Sequence, residues 1–200
     1  MKTIKTFLIL AFVSLPALAS AQPGYYGPPA GEPGFHQRAG RLMFGISAGL
    51  GFMNDNGQSV DCAGCNYNPL AGEIDVHIGG MLNNRLAIMF EAQGNIQTIA
   101  SDQLGDTTLT QSAFMGALQY WLTPQLWIKG GLGAAHLTVD DTYYGTSQPA
   151  GSGLAIMGAV GFELLSGRFF ALDLQGRLID GQYGSDRITG GTIGLGLNWF

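Results

Sequence analysis

Charge is what this chain of 200 residues is short of: Asp, Glu, Lys and Arg together make up 12% of it, about half the share of an average soluble domain. A surface kept in solution mainly by charge is therefore a poor description of the protein. No cluster of Lys or Arg occurs and the net charge is negative, which argues against nucleic acid as a partner. Cysteine is limited to two residues, too few for a disulfide scaffold. Beyond the first segment no apolar run approaches the ~18 residues of a spanning helix. Glycine, by contrast, is abundant, at 32 residues.

The start, "MKTIKTFLILAFVSLPALASAQ", joins Lys2 and Lys5 to a short apolar stretch and ends on Ala19-Ser20-Ala21 before Gln22. That is the pattern of a secretory signal peptide over residues 1–21. Removing it takes two of the nine basic residues and none of the fourteen acidic ones, so the mature charge is −7. Residues 22–40, "QPGYYGPPAGEPGFHQRAG", are rich in Pro and Gly and read as a flexible periplasmic arm.

From residue 41 the apolar pattern changes to strict alternation, in segments placed at about 41–53, 71–82, 86–99, 109–122, 126–139, 153–165, 169–181 and 188–200. Each is long enough for a tilted membrane strand, which needs ~9–11 residues. "NNR", "TPQ" and "SGR" make tight turns at one end, while longer polar connections lie at the other. Short turns on one side and long loops on the other are the habit of an outer-membrane barrel, with the turns and both termini in the periplasm.

One phase of these segments is oily, as in Leu42, Phe44, Ile46, Ala48 and Leu50, or Leu86, Ile88 and Phe90. The opposite phase carries Glu73, Asp75 and His77, then Glu91, Lys129, Glu163, Asp173 and Arg177. A soluble ligand-binding barrel would turn the oily phase inward, leaving a surface of Gly, Gln and Asn too thin in charge for solubility. The reading is therefore an all-β, eight-stranded, antiparallel, up-and-down transmembrane β-barrel over residues 41–200, with an aromatic girdle of Phe44, Tyr120, Phe162, Phe170 and Trp199.

The leader, the eight amphipathic strands, the three tight turns and the aromatic end of "GGTIGLGLNWF" resemble the small eight-stranded bacterial outer-membrane barrels, typified by the membrane domain of outer-membrane protein A. The resemblance implies an assembly signal carried by Ile193, Leu195, Leu197, Trp199 and Phe200 and read by the barrel-insertion machinery. Here the alternation ends on Trp199 and Phe200 falls one step out of phase. It also implies outer-membrane lipids and lipopolysaccharide as surroundings; the sequence itself names no cofactor.

An eight-stranded lumen is just wide enough for side chains, so charges inside it must pair. Similar heights on consecutive strands suggest a pairing of Lys129 with Glu163 and Asp173. His77 lies level with Glu91, and Arg177 is placed to reach Asp75 or Glu73. The expected result is a salt-bridge network that plugs the barrel; a proton or ion path lined by His77 and the acids is the alternative. Cys62 and Cys65, in the first surface loop of an exported chain, read as a local disulfide, because zinc would need two further ligands that the loop does not supply.

No catalytic set emerges. His136 and Thr138 share the lipid phase, as do the His and Ser of certain outer-membrane lipid A deacylases, but Thr replaces Ser and no lipid-facing acid stands beside the His. The expected role is structural and surface-interacting, with Tyr67, Tyr143 and Tyr144 as loop contacts for an unidentified ligand. A narrow pore for small polar solutes is the second reading, and a lipid A deacylase-like enzyme the third.

Overall fold

The computed structural model describes residues 34–59, 70–99, 106–141 and 146–200. The signal peptide, Cys62 and Cys65, and Tyr67, Tyr143 and Tyr144 lie outside these residues. Eight long strands follow one another: β1 (Leu42–Asp55), β2 (Ala71–Met81), β3 (Leu86–Ile99), β4 (Thr107–Trp121), β5 (Leu126–Asp141), β6 (Thr146–Ser166), β7 (Phe170–Tyr183) and β8 (Asp186–Trp199). Every pairing is antiparallel between neighbours in sequence, and β8 pairs back onto β1 from Phe44↔Trp199 to Asp55↔Ile188. The sheet is thus a closed up-and-down barrel, whose long strands leave no edge.

The strands end where local chemistry makes them end. At what we call the turn end, Asn83 Oδ1 accepts hydrogen bonds from the backbone N–H groups of Arg85 and Leu86, at 2.8 and 2.9 Å. Thr123 Oγ1 plays the same part for Leu126, at 2.9 Å. Such side-chain capping reverses a chain in few residues. The opposite, loop end departs from the sequence expectation in three places. Asn56 and Gly57, both at positive φ, turn β1 back into a two-residue ladder at Gln58–Ser59. Gly184, also at positive φ, and Ser185 join β7 to β8 in a two-residue hairpin. The segment from Thr146 to Gly151, expected in a loop, continues β6 upward against β5. It passes Pro149 at a register shift beside Leu137 and Thr138, the kind of bulge where a strand tolerates proline.

Alternation along each strand separates two environments. Outside, large apolar side chains such as Leu50, Ile74, Ile88, Phe90, Leu132 and Ile156 are roughly half exposed, a belt that only lipid would cover. Phe44 and Trp199 stack on this face with ring centroids 5.7 Å apart, beside exposed Phe170. Inside, the lumen is filled. Met43, Met53, Met81, Met89, Met115 and Met157 are all buried there, together with Trp121 and Trp127. The unbranched thioether suits an irregular bore that must be packed without a repeating shape.

Candidate functional site

The chemistry of this barrel is concentrated in its lumen, where Glu73, Asp75, His77, Glu91, Lys129, Glu163, Asp173 and Arg177 are all buried. Arg177 is the hub. Its Nε lies 3.2 Å from Glu73, its Nη1 lies 3.3 Å from Asp75, and the same Nη1 donates to Glu91. It also donates to Gln93 Oε1 at 3.2 Å. Glu91 is held from its second oxygen by Lys129 Nζ at 3.0 Å. Thr192 donates to Glu73 from across the β1–β8 seam.

Below the hub runs a second chain of contacts. His77 Nδ1 is 3.1 Å from Asp75, and its Nε2 is 2.7 Å from Asn198 Oδ1. Asn198 donates in turn to Asp173 at 2.6 Å. The His77 ring reaches Asn198 across Gly45, the β1 residue that pairs with both, where a Cβ would lie 2.3 Å from the ring nitrogen. Only glycine leaves that passage open. Asp75, His77 and Glu91 bring possible ligand atoms within 4.8 Å of one another. Arg177 and Lys129 already neutralise these carboxylates, so a divalent ion would have to displace two buried cations.

Two pairings differ from the sequence expectation. Lys129 reaches Glu91 rather than Glu163 or Asp173, and Glu163 takes its cation from outside the strands altogether. Arg38, counted with the flexible arm, is buried: Nη1 and Nη2 grip the two oxygens of Glu163 at 2.7 and 3.0 Å. The guanidinium also donates to the carbonyl of Gly167 and lies over the ring of Phe200, 3.8 Å from its centroid. Trp121 Nε1 and Ser166 Oγ complete the shell of Glu163. Asn84 Oδ1 accepts from the N–H groups of Arg38 and Ala39, both at 3.1 Å, and Arg85 lies over the ring of Phe35. Residues 35–40 therefore close the turn end of the bore, packed against the barrel.

The two residues that end the alternation have separate places. Trp199 faces outward against Phe44, whereas Phe200 turns inward beneath Arg38 and edge-on to Trp121. On the outer face near the loop end, His136 Nδ1 is 2.8 Å from Ser152 Oγ on β6, not paired with Thr138. Among the described residues no carboxylate bonds to this imidazole, so the pair lacks the orienting acid of a hydrolytic triad.

No family model and no curated protein matches the sequence. Similarity appears in solved structures. The attachment invasion locus protein Ail of Yersinia pestis, solved with the heparin analogue sucrose octasulfate, is 14% identical, with 79% of this chain and 99% of that one covered, at a TM-score of 0.58. Neisserial surface protein A (NspA) is 12% identical, with 79% and 95% covered, at a TM-score of 0.60. With its closed eight-strand ring, oily outer belt and polar bore, the chain has the fold of the small eight-stranded outer-membrane barrels.

Proposed function

We propose that this protein is a Gram-negative outer-membrane barrel, sealed along its axis, that strengthens the membrane and acts through what its loop end displays to the exterior. The observation that carries the reading is the filled bore. The Arg177 hub spans the middle, and Arg38, Glu163, Trp121 and Phe200 close the turn end. A solute would have to break several buried ion pairs to pass. In a planar bilayer the refolded barrel, verified by its shifted gel mobility before heating, is expected to carry no current above the lipid background. A stable, charge-selective current lost on Glu91→Gln would replace this reading with a narrow pore.

Charge favours one class of surface ligand. Among the described residues the loop end carries Asp55, Asp106, Asp140, Asp180 and Asp186 against the single cation Arg187, itself paired with Asp180 at 2.7 Å. A polyanion such as sucrose octasulfate, bound in the Ail structure, would meet a repulsive field here. The fitting partners are basic surfaces and divalent cations bridging to lipopolysaccharide phosphates. Retention on immobilised heparin at low salt is therefore expected to be absent once the turn-end Arg41 and Arg168 are replaced by Gln, and salt-sensitive retention of that variant would reverse the assignment.

A further inference from the structure

The turn end has the opposite charge, and part of it is unspent. Arg38 is committed to Glu163. Arg41, just before β1, and Arg168, in the β6–β7 turn, have no ion-pair partner among the described residues. Both guanidiniums flank one ring: the Cζ of Arg41 lies 4.7 Å and that of Arg168 5.5 Å from the centroid of Phe169. Arg41 is fixed there by donating from Nη1 to the Arg168 carbonyl at 3.3 Å, the one hydrogen bond described for its side chain. Burial, and then the neighbouring Arg168 and Arg38 guanidiniums, holds the Arg41 pKa below its ordinary value.

The position of this pair suggests what anion would relieve it. Phe169 is 64% exposed and sits beside Phe170 and Trp199, the aromatic residues that end the lipid-facing belt. Aromatic girdles lie at the headgroup level of a bilayer, so the next groups outward face lipid phosphates. A guanidinium fork matches phosphate oxygens in geometry as well as charge. We propose that Arg41 and Arg168, braced on Phe169, form a binding site for the phosphate of an anionic phospholipid in the leaflet at the turn end of the barrel.

The site is testable without knowing the protein's ligand at the other end. Native mass spectrometry of the barrel released from neutral detergent with added phosphatidylglycerol should detect retained lipid. Retention should fall by on the order of tenfold to thirtyfold in Arg41→Gln/Arg168→Gln, given the usual ~1 kcal/mol per basic side chain at an anionic membrane surface. Arg187→Gln, at the loop end, should leave retention unchanged. Arg168→Gln alone changes an exposed turn residue and keeps the test open if the double variant fails to fold. Equal retention in wild type and either turn-end variant would overturn the proposal. Inorganic phosphate held as tightly as the lipid, and lost with the same arginines, would overturn the lipid as its source in favour of a soluble anion.

Discussion

Arg177 answers three carboxylates at once, and its removal tests whether the lumen is held by charge. Breaking a buried pair strands the partner and usually costs about 3–5 kcal/mol. In Arg177→Leu, Glu91 would keep Lys129 while Glu73 and Asp75 would lose their guanidinium, so destabilisation of at least about that size is expected. It should appear as a lower temperature for loss of the compact gel band. Gly45→Ala is a finer probe. Its methyl group would press on His77 and Asn198 and part their hydrogen bond, for about 1–3 kcal/mol. With His77→Ala in the background only the contact with Asn198 remains and the same change should cost less, and equal costs in both backgrounds would show that the His77 ring is not its source. At this scale the sequence was readable where a residue breaks its surroundings: acids and a histidine among small inward residues stand out. The lumen methionines and Trp121 do not, because apolar residues on a polar phase look like noise until the bore that needs filling is seen.

The segment at residues 35–40 is an element that periodicity could not reveal. It has no repeat, and its Pro- and Gly-rich neighbours resemble a solvated arm, yet one arginine anchors it to Glu163, Gly167 and Phe200. Arg38→Ala would leave Glu163 buried without its cation, at a cost of roughly 3–5 kcal/mol. Pairing it with Glu163→Gln should return part of that loss. A deletion that removes residues 34–40 should match Arg38→Ala and shift the emission of Trp121. The eight strands were legible because a wall between lipid and a polar bore imposes period two on every residue. Their loop ends were less so: above the belt both faces are wet, the alternation fades, and Thr146 to Gly151 look like loop although they pair with β5. The Asn56-Gly57 step was the local signal that β1 ends in a hairpin turn rather than an open loop.

For the whole molecule, closure of the ring and satisfaction of the interior draw on β8 and the residue that follows it. Thr192 reaches Glu73, Asn198 joins His77 to Asp173, and Phe200 supports Arg38. Until β8 docks, the sheet has not only two raw edges but also buried polar groups with nothing to bond. The intermediate with seven strands is thus disfavoured at its rim and along its axis together. Contacts between the most distant parts of the chain are also the slowest to find by diffusion. Assembly in the bilayer should therefore be all-or-none and late, with β8 arrival as the committing step. A chaperone that withholds this one strand would hold the entire barrel in waiting.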